Sequence, residues 1–168
     1  IIVVTLILLA SVCAFADDNP ITVLSFNIRY DNSGDGDNRW ELRKDAVAQQ
    51  IRDVDPDVLC LQEALRHQLD DLHTLVPGYE EHGVGRNDGA EAGEYCAILI
   101  RTGFCSIKDS GTFWLSDTPD IPGSKSFGNN ITRITTWIAL VDSTDSELWI
   151  YNAHLDHESQ RSRELSAD

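Results

Sequence analysis

Apolar and polar positions follow two periods along the chain. "ITVLSFN", Ile21 to Asn27, is an apolar run that predicts a strand, and the Asp-, Asn- and Gly-rich "IRYDNSGDGDNR" after it predicts a loop. From Trp40 to Val54 the apolar residues Trp40, Val47, Ile51 and Val54 recur at helical spacing. "DPDVLCLQE", Asp55 to Glu63, reads as a second strand, and Leu65, Leu69, Leu72 and Leu75 then mark one side of a second helix. "PGYEEHGVGRNDGAEAGE" is rich in turn residues, with room for a short strand. "YCAILIR" and "SGTFWLS" predict strands, and "DTPDIPGSKSFGNN" predicts a loop. "TRITTWIALVD" and "SELWIYNAHLD" predict an antiparallel hairpin closed by "STDS". "SQRSRELSAD" opens a helix. The order β-α-β-α followed by consecutive strands implies a mixed α/β domain whose sheet is not purely parallel. No linker-like segment divides it.

The first residues follow a different rule. Ile1 to Ala16 carries no charge, ends in Ala14-Phe15-Ala16 and gives way to Asp17-Asp18. That is the apolar core and cleavage site of a secretory signal peptide, and it is short for a membrane span. The basic leading segment is missing, so the signal's start reads as incomplete. Residues 1–16 are therefore expected to be a signal peptide and 17–168 the domain of a secreted protein, extracellular or periplasmic, without a membrane span. Loss of Cys13 would leave Cys60, Cys96 and Cys105, an odd set that does not suggest a disulfide framework. Buried thiols are the expectation, with one pair left open. Asn130-Ile131-Thr132 fits a glycosylation acceptor if the source is eukaryotic.

Charge narrows the partners. A formal charge of −15 gives no steering towards nucleic acid, so a polyanionic substrate would need a bridging cation. Against that background, polar residues end three strands: Asn27, Glu63, and the group Asn152, His154 and Asp156. The last three share one strand face with Leu148 and Ile150, while Trp149, Tyr151, Ala153 and Leu155 share the other. A face that turns from apolar to polar leaves a core and enters a cleft, and functional groups gather at such strand ends. Taken one at a time, each has an ordinary alternative: a solvated Glu, a turn-forming Asn, a hydrogen-bonded structural His.

The segments "LSFNIRYD", "DVLCLQEA", "AGEYCAILIR", "TRITTW" and "YNAHLDH", in this order, resemble the endonuclease/exonuclease/phosphatase superfamily, in its secreted branch, over about residues 20–168. "GVGRNDG" and "GTFWLSDTPDIPGSK" strengthen the likeness. The resemblance implies a four-layered α/β sandwich, two mixed sheets flanked by helices, with only its N-terminal part present. It implies cleavage of phosphoester bonds with Mg²⁺ or Mn²⁺, by in-line attack of water. By the same likeness Glu63 is a metal-ligating carboxylate and Asn27 helps hold metal and phosphate. His154 contacts the scissile phosphate, Glu94 pairs with His154 and favours its cationic form, and Arg133 contacts phosphate. Asn152 and Asp156 are given supporting roles. The family's later GDFN-type and SDH-type motifs are not found in these residues, so the chain by itself is expected to be inactive. Substrates of this class include phosphorylated small molecules, phospholipids and nucleic acids; a monomer is expected. Trp40, Arg43 and Trp114 are candidates for a substrate pocket, with core packing the alternative for both Trp.

Two other readings compete. A non-catalytic secreted binding domain could use the same fold. A zinc hydrolase of the metallo-β-lactamase type is suggested by "NAHLDH", which nearly spells H-x-H-x-D-H, although Asn152 stands where the first His belongs.

Overall fold

The computed structural model describes residues 20–168; the signal-peptide expectation for residues 1–16 lies outside them. The strands are β1 (Val23–Asn27), β2 (Val58–Gln62), β3 (Tyr79–His82), β4 (Ile98–Arg101), β5 (Ser106–Trp114), β6 (Ile134–Val141) and β7 (Glu147–Ala153). The helices are α1 (Trp40–Val54), α2 (Arg66–Leu75) and the short α3 (Gln160–Leu165). A 3₁₀ turn at Ser33–Asn38 occupies the predicted loop, begun by Asn32, whose side chain accepts from the Gly34 N–H.

A four-stranded sheet has the order β1-β2-β4-β3, and a three-stranded sheet the order β5-β6-β7. β1 and β2 are parallel, with Asn27 opposite Gln62, and β4 runs antiparallel to both β2 and β3. The first sheet is therefore mixed, as the alternation of strands and helices implied; the second is wholly antiparallel.

Apolar surface explains the layering. Leu24, Phe26, Leu59 and Leu61 on the first sheet pack with Trp40, Ala48, Ile51, Leu69 and Leu72 from α1 and α2. The opposite face of that sheet, through Val58, Cys60, Ile98 and Ile100, meets Ile138 and Leu140 of the second sheet. Each fully buried aliphatic side chain here contributes about 1.5–3 kcal/mol relative to exposure. The result is an α/β sandwich of helices, mixed sheet and antiparallel sheet. Trp149 and Tyr151 lie on the outer face of β7 and are exposed among the described residues.

Two boundaries depart from the sequence pattern. β5 starts at Ser106, earlier than the apolar run suggested, because its first half is mostly solvated and a register shift between Ile107 and Asp109 breaks the alternation. β7 ends at Ala153, so His154 and Asp156 lie beyond the last strand pair. The side-chain alternation nevertheless continues through Asp156: Asn152 and Asp156 are buried, while Tyr151, Ala153 and Leu155 are exposed.

Candidate active site

Glu63 follows β2 with φ of 62°, a left-handed conformation that costs a residue with a Cβ about 1–2 kcal/mol. This turn carries the side chain sideways to the end of β1. There Glu63 Oε1 accepts from Asn27 Nδ2 at 2.9 Å, and Oε2 accepts from the Tyr30 backbone N–H at 3.3 Å. Asn27 Oδ1 in turn accepts from the Arg29 N–H at 2.9 Å. Asn27 therefore orients the Glu63 carboxylate, and its own oxygen is engaged with backbone. Asn27 Oδ1 accepts that bond and, like each Glu63 oxygen, keeps a lone pair that could face a cation.

His154 lies opposite, with Nε2 3.9 Å from Glu63 Oε1. Its Nδ1 is buried and has no hydrogen-bond partner among the described residues. Burial, with the nearby Arg133 charge, pushes the imidazole pKa below its ordinary value, despite the opposing pull of Glu63. His154 is thus held towards its neutral form, contrary to the expected cation.

The predicted Glu94–His154 pair is replaced by another. Arg86, from the loop between β3 and β4, grips Glu94 with two parallel bonds of 2.8 Å each. A planar guanidinium matches both carboxylate oxygens at once, which an imidazole cannot do. Burial still raises the Glu94 pKa above the usual range, with Arg86 opposing. Glu94 and His154 do line one cleft, together with Arg86, Thr132 and Arg133.

Arg133 is only 2% exposed. Its Nε donates to Asp156 Oδ2 at 3.3 Å, and its Nη2 meets His157 Nδ1 at 2.8 Å. Arg133 thus lines the cleft with its charge paired to Asp156. Asp156 also accepts from the Glu158 and Ser159 N–H groups at 3.0 and 2.7 Å, fixing the turn after His154. Burial pushes the Asp156 carboxyl up, but those donors and Arg133 together bring it below its ordinary value.

Asn152 is a bridge between the sheets. Its Nδ2 donates to Leu61 O at 2.8 Å and Ala97 O at 2.9 Å, and its Oδ1 accepts from Gln62 Nε2 at 2.6 Å. It thereby fixes the end of β7, which leads into His154, to the end of β2, which leads into Glu63. Asn152, His154, Asp156 and His157 do not converge on one point, so the arrangement gives no support to the zinc reading.

Among the pocket candidates, Trp40 is fully buried and donates to Asp71 Oδ2 at 2.7 Å, so core packing accounts for it. Trp114 donates to Arg86 O at 2.7 Å and borders a groove of about 360 Å³ with His82, Val84 and Thr112. Arg43 donates into the backbone at Ile28, Arg29 and Asn38. The pattern of apolar residues gave no signal for Gln68 or Arg86; a buried amide on an apolar helix face was the one available clue to Gln68. The described cysteines are free thiols: burial pushes Cys60 and Cys96 up to about 12 and Cys105 to about 11.

The donor chemistry suits a hard cation. No cluster of three or more His, Cys, Asp or Glu forms a metal cage among the described residues. Mg²⁺ needs no such cage, since one or two carboxylates with substrate phosphate and water suffice. Each Glu63 oxygen accepts one hydrogen bond, from Asn27 or from the Tyr30 N–H, and keeps a lone pair for a cation. No helix of the described residues is long and apolar enough to cross a membrane.

A family model described as the Endonuclease/Exonuclease/phosphatase family matches residues 24–166. The chain is similar to the solved endonuclease/exonuclease/phosphatase from Bacteroides vulgatus, with 41% identity and a TM-score of 0.82, over 85% of this chain and 55% of that one. It is similar to a mannosyl-6-phosphatase of Bacteroides thetaiotaomicron, with 39% identity and a TM-score of 0.83, over 88% of this chain and 56% of that one. An uncharacterized protein, L388, of Acanthamoeba polyphaga mimivirus is 29% identical over 133 residues, 70% of this chain and 47% of its own length. The chain spans about half the length of these relatives.

Proposed function

The chain belongs to the endonuclease/exonuclease/phosphatase family, and on that premise we propose that it supplies part of the active site of a secreted phosphoester hydrolase dependent on Mg²⁺ or Mn²⁺. The observation that carries this reading is the meeting of Glu63 and His154, 3.9 Å apart at the ends of two strands from different sheets. Glu63 would hold the cation, which when bound would neutralise charge building on the phosphate oxygens. Asn27 and the Tyr30 N–H hold the carboxylate in place. Neutral His154 would donate its Nε2 hydrogen to a phosphoryl oxygen and so offset the charge that develops there. Arg86 and Arg133 line the cleft beside them, each paired with a carboxylate.

The substrate we favour is a small phosphomonoester, a sugar phosphate foremost. A net charge of −15 disfavours a long polyanion, and the likeness to a mannosyl-6-phosphatase supports the choice. The test is a panel of sugar phosphates, inositol phosphates, phospholipids and plasmid DNA, given to the full-length protein with Mg²⁺, Mn²⁺ or chelator. Release of inorganic phosphate from sugar phosphates, abolished by chelator, is the expected result. Faster degradation of plasmid DNA would reverse the substrate choice, and no turnover of any member would favour a non-catalytic binding domain.

A further inference from the structure

We propose that Gln68 and Arg43 are positioning residues that aim the Glu63 carboxylate by gripping a single peptide group between Arg29 and Tyr30. The inference rests on reading Glu63 as a cation ligand.

Gln68 is fully buried on α2, where an amide must find partners. All three of its contacts are with backbone. Its Oε1 accepts from Asp31 N–H at 3.0 Å and Leu65 N–H at 3.1 Å, and its Nε2 donates to Arg29 O at 3.0 Å. Arg43, from α1, donates its Nη2 to the same Arg29 O at 2.5 Å, its Nη1 to Ile28 O, and its Nε to Asn38 O at 2.9 Å. Two helices thus hold one carbonyl.

The consequence follows from peptide geometry. In a trans peptide the C=O and the N–H of the same unit point in opposite directions. Fixing Arg29 O therefore aims the Tyr30 N–H the other way, and there it meets Glu63 Oε2 at 3.3 Å. Arg29 has φ of 58° and Glu63 φ of 62°. Strained backbone of this kind persists only where its surroundings over-determine it. Without the grip, Arg29 would relax to negative φ, the peptide would turn, and Glu63 would lose one of the two donors that orient it. Partners that orient a ligand typically account for 10–100-fold in metal affinity.

The test uses the full-length protein and two variants. Gln68→Glu keeps both acceptor contacts and nearly the same volume, but sets an oxygen against Arg29 O. Arg43→Lys keeps the charge and loses the planar fork, and it carries the test if the first variant fails to fold. Two readouts are taken on protein shown to be folded by circular dichroism. Hydrogen exchange at the Tyr30 amide is measured without metal, and Mn²⁺ affinity is measured from the electron paramagnetic resonance signal of the free ion. The expected result is Tyr30 exchange at least about tenfold faster and Mn²⁺ binding about tenfold weaker. Unchanged Tyr30 exchange overturns the inference, and so does unchanged Mn²⁺ affinity in a folded variant. Wild-type protein that fails to bind Mn²⁺ while Tyr30 exchange still responds would overturn the cation reading of Glu63 itself.

Discussion

Asn152→Asp changes one nitrogen into an oxygen at the bridge between the sheets, with almost no change in volume. In the native chain Nδ2 donates to Leu61 O at 2.8 Å and Ala97 O at 2.9 Å. The substitution sets an acceptor against both carbonyls. A buried group robbed of its partner costs about 1–3 kcal/mol. Ala97 O also accepts from the Leu61 N–H at 2.8 Å, so its share falls at the low end. The contact with Gln62 Nε2, 2.6 Å in the native chain, becomes charge-assisted and returns part of the loss. The net cost at pH 7 is about 2–4 kcal/mol. Burial pushes the pKa of the introduced carboxyl above the ordinary value, so the folded state takes up its proton at higher pH than the unfolded one. The penalty is therefore largest above the folded pKa and shrinks as pH falls towards about 4. Urea unfolding followed by tryptophan fluorescence, at pH 7 and pH 5, measures both effects. A loss under about 1 kcal/mol at pH 7 with unchanged slope, or a deficit that does not narrow at pH 5, would refute the reasoning.

Three further outcomes are expected. Arg133→Met leaves the buried Asp156 without its cation and should cost about 3–5 kcal/mol in urea unfolding; a cost near zero would mean that the pair is solvated. Because the folded-state pKa of His154 is depressed, its contribution to stability is full above about pH 6.5 and is lost as pH falls through the folded value. The melting temperature of wild-type protein should then fall more steeply from pH 7.5 to 5 than that of His154→Asn, and parallel curves would contradict the depressed pKa. Trp40→Phe removes the donor to Asp71 and should lower stability by about 0.5–1.5 kcal/mol without changing Mn²⁺ affinity, which separates a core residue from a pocket residue.

The fold was legible wherever burial is one-sided. Val47 and Ile51 mark the buried side of α1, and Leu69 and Leu72 that of α2, because those helices lie on the first sheet. The start of β5 was not legible, since Lys108, Asp109 and Ser110 face solvent and carry no apolar period. Within the site, the strand-end positions of Asn27, Glu63 and His154 could be read from the chain. Their partners could not. Arg86 reaches Glu94 by a loop that folds back through Arg86 N–H to Glu94 O, a pairing decided by backbone turns and not by periodicity. Gln68 acts on residues 29 and 31, more than thirty positions away, and the left-handed turn at Glu63 leaves no trace in composition. Asn152 and Asp156 flank His154 in the chain as buried groups, and their tasks, bridging two sheets and pairing with Arg133, left no signal in the alternation.

In the function proposed above, Glu63 and His154 form the core of a cation-dependent phosphoesterase site. The most direct test is phosphate release from a sugar phosphate by full-length wild-type protein and by Glu63→Gln, as Mg²⁺ is titrated into chelator-treated enzyme. The expected result is saturable activation of the wild type by Mg²⁺ and a loss of at least about a hundredfold in Glu63→Gln at any Mg²⁺ concentration, since the variant lacks the anionic ligand. Full turnover in chelator, or wild-type turnover by Glu63→Gln, would contradict it.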